Sequence, residues 1–263
     1  MFDISILGGG WIGVPLAEKL SQKGYSVQIS QSSQTKTIQN PTIKLVQWRA
    51  EVNSPNEAWE SILDAKTIIW TIPPRRKENG DHFYLDVLQD FVRLLNQKTY
   101  QQVIFLSSTS IYQAENSLVN EESALENNLM CQAEEILHGV QCPLLLLRLG
   151  GLMGGERFVA KYYSGKKVPA ANHPVNYVHR ADVLEIIAQS IKSQLNGTFN
   201  VIAPQHPIKS ELVKLECERR GLVLPVEYLE DKDATKVITS DKLIQALNYS
   251  FQYPDPLLFP IEN

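Results

Sequence analysis

Two short runs carry residue types suited to chemistry. In the first, Gly8, Gly10 and Gly13 have the spacing G-x-G-x-x-G. That spacing suits a strand-to-helix turn against a pyrophosphate. The first glycine permits the turn, the second lets backbone approach the ligand, and the third lets the helix pack close to the strand. The helix start adds unpaired amides and a positive dipole end, so Trp11 and Ile12 stand with the three glycines as candidate dinucleotide contacts. The second run is Ser107-Ser108-Thr109-Ser110-Ile111-Tyr112, directly after the apolar run Val103–Leu106. It has two readings: a turn that satisfies its own backbone, or hydroxyls that face a cofactor and a substrate.

Further candidates lie where strands are expected to end. The second strand runs out in Gln-Ile-Ser-Gln-Ser-Ser-Gln-Thr-Lys. An NAD site usually carries Asp or Glu there, on the ribose 2′-hydroxyl. Ser30 stands about where the acid would be, Ser32, Ser33 and Lys36 follow, and no carboxylate is near. A neutral rim with one lysine tolerates a 2′-phosphate, so NADP is expected over NAD. The fourth strand ends in Thr71-Ile72-Pro73, placed to pass under the cofactor, and Arg75 and Arg76 follow as candidates for an anionic ligand.

The elements that must position these residues alternate along the chain. Apolar strand-like runs fall at 4–7, 25–29, 43–47, 67–72, 102–106, 144–149 and 197–201. Helical spacing marks 11–23, 56–63, 81–96, 123–138, 182–192 and 210–220. Nearly continuous apolar strands separated by helices predict a doubly wound α/β fold, a parallel sheet covered on both faces. Residues 1–150 read as a dinucleotide-binding domain and 151–263 as a smaller C-terminal substrate lobe interleaved with the main sheet.

Composition narrows the function. The formal net charge is −4 with no basic stripe, which argues against a nucleic-acid surface. No apolar run approaches the ~20 residues of a membrane-spanning helix, so no membrane partner is expected. Three scattered cysteines, Cys131, Cys142 and Cys217, form neither a disulfide framework nor a metal pattern. A reduced, cytoplasmic protein without a metal is expected.

Several segments together resemble the extended short-chain dehydrogenase/reductases, the NAD-dependent epimerase/dehydratase-like proteins. They are GGGWIG, VIFLSSTSIY, LLRLGGLMGGER, NYVHRADVLEII, GTFNVIAPQHPIKSEL and KVITSDKLIQALNYSFQYPD, in the family's order across nearly the whole chain. The resemblance implies an oxidoreductase or epimerase acting on a small carbonyl or sugar-type substrate, with a homodimer as one arrangement. It puts the substrate-orienting hydroxyl on Ser108 and lays Ser107 beside the cofactor. It then fails at the family's Tyr-x-x-x-Lys pair. Glu126 falls on the Tyr and Met130 on the Lys, and there is no Tyr from Gln113 to Ala160 and no Lys from Thr99 to Ala160. Glu126 and Tyr112 are therefore the substitute acid–base candidates. Tyr162/Lys166 and Tyr163/Lys167 repeat the spacing in the C-terminal lobe, as Tyr228/Lys232 does by chance. Arg157 and His179 are candidates for substrate, with a helix-orienting role as the other reading of His179. A protein that binds NADP(H) without turnover is the alternative function.

Overall fold

The computed structural model describes residues 1–32, 38, 40–74, 76–114 and 117–261. In chain order the strands and helices are β1 (Phe2–Leu7), α1 (Gly13–Gln22), β2 (Val27–Gln31), β3 (Lys44–Gln47), α2 (Asn56–Glu60), β4 (Ala65–Trp70), α3 (Arg76–Leu95), β5 (Gln102–Ser108), β6 (Ser117–Val119), α4 (Leu129–Leu137) and β7 (Leu144–Leu149). There follow β8 (Gly151–Met153), α5 (Ala160–Tyr163), β9 (Lys167–Val168), β10 (Tyr177–His179), α6 (Arg180–Ser193), β11 (Gly197–Val201), α7 (Lys209–Arg219), β12 (Glu227–Tyr228), β13 (Lys236–Ile238) and α8 (Asp241–Leu247).

Seven strands form one parallel sheet in the order β11-β7-β5-β4-β1-β2-β3. β1 pairs with β2 on one side, Ile6 opposite Ile29, and with β4 on the other, Ile6 opposite Ile69. The chain therefore reverses its direction of growth at β1, and open α/β sheets bind ligands beyond the carboxyl ends of the strands at such a reversal. No described helix is long and apolar enough to cross a membrane.

The chain divides into two compact units, residues 1–107, 127–147 and 187–198, and residues 108–126, 148–186 and 199–263. The core of the first is aromatic. Trp70 lies 4.7 Å from Phe91, and Trp48 meets Trp59 edge-on at 4.7 Å. α3 supplies Tyr84, Val87, Leu88, Phe91 and Leu95, all buried at helical spacing. Gly80 breaks that helix with φ 73°, a left-handed value that suits glycine.

Two expected helices are shorter than their spacing suggested: 56–63 is helical only over Asn56–Glu60, and a second starts late. The predicted span 123–138 is helical only from Leu129. Asn128 caps it, its side-chain oxygen accepting from the amides of Met130 and Cys131 at 3.0 and 3.2 Å. Asparagine is among the best helix N-caps, so the cap wins over continued periodicity.

The second unit is held by short parallel pairs, β8 with β10, β9 with β12 and β6 with β13. α5 and α7 pack around a core of Val159, Ala160, Val168, Leu212, Val213 and Cys217. The fully buried Asp182 ties the start of α6 to the C-terminal segment. Its carboxylate accepts from the Tyr249 hydroxyl at 2.7 Å and from the amides of Gln252 and Tyr253 at 2.7 and 3.1 Å.

Candidate functional site

In the first unit the glycine loop is clamped between the ends of β2 and β4. The Gly8 amide donates to Ser30 Oγ at 2.9 Å, and the Gly9 amide to the Ser30 carbonyl at 2.8 Å. From the other side the Thr71 hydroxyl donates to the Gly8 carbonyl at 2.8 Å. Gly8 has φ 115°, and a Cβ there would lie 2.5 Å from Thr71 Oγ1. A Cβ on Gly13 would run into the Gly8 carbonyl oxygen, whereas one on Gly10 would meet no described atom within 4 Å. Two glycines are thus needed for the loop's own packing, and the third leaves its backbone open.

The clamped loop forms one wall of a cavity of about 320 Å³. Gly8–Gly10, Ser30–Ser32, Trp48–Ala50 and Trp70–Pro73 line it, with Phe83, Tyr84 and Val87 from α3. Trp70 Nε1 and the Tyr84 hydroxyl each donate to the Ile72 carbonyl at 3.1 Å, which fixes the wall at Ile72 and Pro73. Burial pushes the Tyr84 phenol above its ordinary range. Among these lining residues there is no carboxylate, and Arg49, an exposed side chain, carries the one full charge.

Two lining side chains hold donors that meet no acceptor among the described residues, Gln31 Nε2 and Trp48 Nε1. The residues are 7% and 6% exposed. A buried donor left unmade costs about 1–3 kcal/mol. Neither residue nor Arg49 was expected from the sequence. Their signal was position: all three stand at the carboxyl ends of β2 and β3, on the rim already assigned to Ser30.

Of the expected cofactor contacts, Gly8, Gly10, Ser30, Ser32, Thr71, Ile72 and Pro73 line this cavity. Ser30 is 2% exposed and its hydroxyl serves the Gly8 amide, while the Gln31 side chain packs against Gly9. Gly13 starts α1, and Ile12 is buried at its cap position. The Ser107 hydroxyl donates to Glu134 Oε1, and both residues are buried. Ser33, Lys36 and Arg75 lie outside the described residues.

In the second unit, Ser108 Oγ accepts from the Ser110 amide at 3.1 Å and caps a single 3-10 turn, Thr109–Ile111. The hydroxyl run is therefore a self-capping turn in which Ser108 stays half-buried. Tyr112 is sealed, at 0% exposure. Its hydroxyl donates to Asn200 Oδ1 and accepts from Arg148, both at 2.7 Å, and the guanidinium carbon stands 5.0 Å from the ring centroid. Burial drives the Tyr112 phenol upward, against the lowering pull of Arg148. Such a tyrosine holds the turn in place and offers a substrate no free face.

Glu126 is exposed and precedes α4; its amide donates to the Ile111 carbonyl at 2.7 Å. Lys236 Nζ donates to the Tyr112 carbonyl at 2.6 Å. Burial lowers the Lys236 pKa while the charge of Glu126 opposes that shift, so carboxylate and amine are electrostatic neighbours on this turn. His179 is 1% exposed, accepts from the Ala181 amide at 3.3 Å through Nδ1, and lies tilted against Tyr253 with ring centroids 4.2 Å apart. That geometry fits the helix-orienting reading. Arg157 is exposed on a tight turn, its amide and carbonyl both paired with Gly154. The repeated Tyr/Lys spacing does not survive folding. α5 ends at Tyr163, Gly165 turns the chain with φ 67°, and Lys167 pairs with Glu227 at 2.6 Å.

No family model matches the sequence. Among curated proteins, the chain is 30% identical over 275 aligned residues to Protein YeeZ of Escherichia coli strain K12, covering 100% of both chains. Protein YeeZ of Escherichia coli O157:H7 matches with the same figures. Among solved structures, WbmG of Bordetella bronchiseptica in complex with NAD superimposes with a TM-score of 0.80 at 14% identity, over 97% of this chain and 91% of that one. UDP-glucuronic acid 4-epimerase from Bacillus cereus, in complex with UDP-glucuronic acid and NAD, gives 0.78 at 13% identity, over 95% and 94%. The chain thus belongs to the family of Protein YeeZ and has the fold of the NAD-dependent epimerase/dehydratase-like extended short-chain dehydrogenase/reductases.

Proposed function

We propose that this protein binds NADP(H) under its glycine loop and acts as an oxidoreductase or epimerase/dehydratase-like enzyme on a small carbonyl or sugar-type substrate. The observation that carries the reading is the cavity at the carboxyl ends of β1, β2, β3 and β4. One wall is a loop whose Gly10 backbone is open, and among the described residues the rim bears Arg49 and no carboxylate. Solved relatives in fold, such as WbmG, hold NAD, which supports a nicotinamide dinucleotide. The carboxylate-free rim supports NADP over NAD, because an acid there would repel a 2′-phosphate.

In this reading the backbone of Gly8 and Gly10 meets the pyrophosphate at the cofactor loop that Gly13 lets close on α1, Ser32 and Arg49 stand at the ribose, and Thr71, Ile72 and Pro73 form the wall. A bound nicotinamide supplies hydride chemistry. Ser108 orients the substrate oxygen: its Oγ already accepts from the Ser110 amide, which leaves the hydroxyl proton to donate. Glu126, with Lys236 beside it, is the proton-exchanging group, and Tyr112 keeps the turn in shape. Residues 1–150 serve as the dinucleotide-binding domain and 151–263 as the substrate lobe, with Arg157 toward the substrate. The protein works in the cytoplasm, without nucleic acid or membrane, and a homodimer is one arrangement open to it.

The experiment is NADPH oxidation against a panel of aldehydes, ketones and nucleotide sugars, repeated with Ser108→Ala. A loss of about a hundredfold or more is expected, and full activity in the variant would remove Ser108 from the mechanism. A second reading has its own observation: no Tyr lies between Gln113 and Ala160, no Lys between Thr99 and Ala160, and Glu126 stands ahead of α4. Tight NADP(H) binding with no turnover would make the protein a cofactor-binding sensor.

A further inference from the structure

We propose that the run Leu222–Leu229 is an interaction surface for a second copy of this chain, which seats the same run antiparallel upon it. The inference lies wholly within the second unit and is independent of the NADP(H) reading.

The run reads Leu-Val-Leu-Pro-Val-Glu-Tyr-Leu, with one charge among its residues. Nearly continuous apolar sequence is how a strand buried on both faces is written. Here the run lies at the surface. Val223 and Val226 are each 69% exposed, and Leu224, Tyr228 and Leu229 are exposed as well. It is nevertheless firmly held. The Val226 amide donates to the Lys166 carbonyl at 3.0 Å and the Leu229 amide to the Val168 carbonyl at 2.9 Å. The Ser164 hydroxyl donates to the Val223 carbonyl at 3.0 Å, and Leu222 packs on the core between α5 and α7. β12 thus lies beside β9, its one strand neighbour among the described residues. Tyr162, exposed on α5, stands two residues before the Ser164 anchor. Exposed apolar residues scattered singly need no explanation, but a contiguous patch marks an interaction site.

The charges around the run indicate its occupant. β9 and β12 run parallel, with Lys167 opposite Glu227 and Val168 opposite Tyr228. In the middle, Lys167 and Glu227 form an ion pair at 2.6 Å and cancel. The exposed Lys166 stands at the start of the strand pair, where it meets Val226 through the backbone. The exposed Glu230 follows its end, and beyond it Asp231 and Asp233 exceed Lys232. One end therefore carries a positive charge and the other a net negative one. A twofold axis across β12 lays two copies antiparallel and brings Lys166 of each towards Glu230 of the other. A parallel arrangement would set like charge against like. In a twofold contact residue i of one copy meets residue j of the other and j meets i in return, and this distribution of charge satisfies that condition. Complementary charges at the rim set the register of such a contact, while the apolar residues between them form its core.

The test is sedimentation velocity of the full-length protein over a series of concentrations, in wild type, Val226→Lys, Lys166→Glu and the exchange Lys166→Glu/Glu230→Lys. The three side chains are exposed, so each substitution should move Tm by less than about 2 °C, which confirms the fold. The wild type should dimerise. Val226→Lys places a charge in the apolar contact of both copies and should weaken association about a hundredfold or more. Lys166→Glu sets like charges together at both ends and should weaken it about tenfold. The exchange should restore wild-type association to within about threefold. A wild type that stays monomeric at every concentration leaves the run to a different partner and overturns the inference. A dimer that Val226→Lys leaves intact is formed by another surface and overturns it too. An exchange no tighter than Lys166→Glu alone overturns the antiparallel seating.

Discussion

The glycine loop makes a prediction in which two similar substitutions give opposite results. In Gly13→Ala the new methyl would collide with the Gly8 carbonyl oxygen, and would lie 3.0 Å from its carbon and 3.3 Å from Thr71 Oγ1. None of these can yield freely, because the Gly8 amide is tied to Ser30 and its carbonyl to Thr71 at 2.9 and 2.8 Å. Overpacking of this kind costs about 1–3 kcal/mol. For a chain of this size that lowers Tm by about 2–4 °C per kcal/mol, so a fall of about 2–12 °C is expected. Gly10→Ala places its methyl in open space, and Gly10 is not among the positive-φ glycines. Its folding cost should stay within about 0.5 kcal/mol. That same open space is where the ligand must approach backbone, so NADPH affinity should drop about a hundredfold, equivalent to about 2.7 kcal/mol of lost contact. Urea midpoints and a fluorescence titration with NADPH measure both quantities. Equal destabilisation by the two substitutions, or wild-type binding by Gly10→Ala, would refute the assignment of separate roles.

Three further outcomes follow from the same geometry. Tyr112→Phe leaves Asn200 and Arg148 without the hydroxyl between them and should cost about 1–3 kcal/mol in urea unfolding, with NADPH affinity unchanged. Asp182→Ala strands the Tyr249 hydroxyl and the amides of Gln252 and Tyr253, and should cost about 3 kcal/mol or more by thermal melting. Asp3 is held at a pKa of about 2, first by the hydrogen bond from Lys66 and then by Ser26. A depressed carboxylate pKa stabilises the fold above the unfolded value near 4 and loses that contribution as pH falls through 2. With about a third of its side chain exposed, Asp3→Asn should cost about 1 kcal/mol at pH 7 after allowance for solvent screening. Melts of both proteins should draw together between pH 4 and pH 2; a constant gap would show that charge is not the cause.

The sheet was legible because parallel strands buried on both faces are written as nearly continuous apolar runs, such as Val103–Leu106 and Leu144–Leu147. That same feature hid the rim. All five residues of β2 are buried, so no alternation distinguished Ser30, whose hydroxyl serves the Gly8 amide, from Gln31, whose side chain packs against Gly9. Trp48 stands just past the expected strand 43–47, and its unmatched N–H exists only in three dimensions. Helical spacing carried the expected helix back to Ser123, although the adjacent Asn127 and Asn128 offered a local start signal. The role of Tyr112 was beyond local reading, since its partners Arg148 and Asn200 lie 36 and 88 residues away in sequence.

The central claim is tested most directly by thermal melting with NADPH and with NADH, each at the same series of concentrations. A ligand that binds only the folded state at a hundred times its Kd stabilises by about 2.7 kcal/mol, or about 5–10 °C in Tm for a chain of this size. That shift is expected with NADPH, and with NADH only at higher concentration. An unchanged Tm with both, or a larger shift with NADH at every concentration, would contradict it.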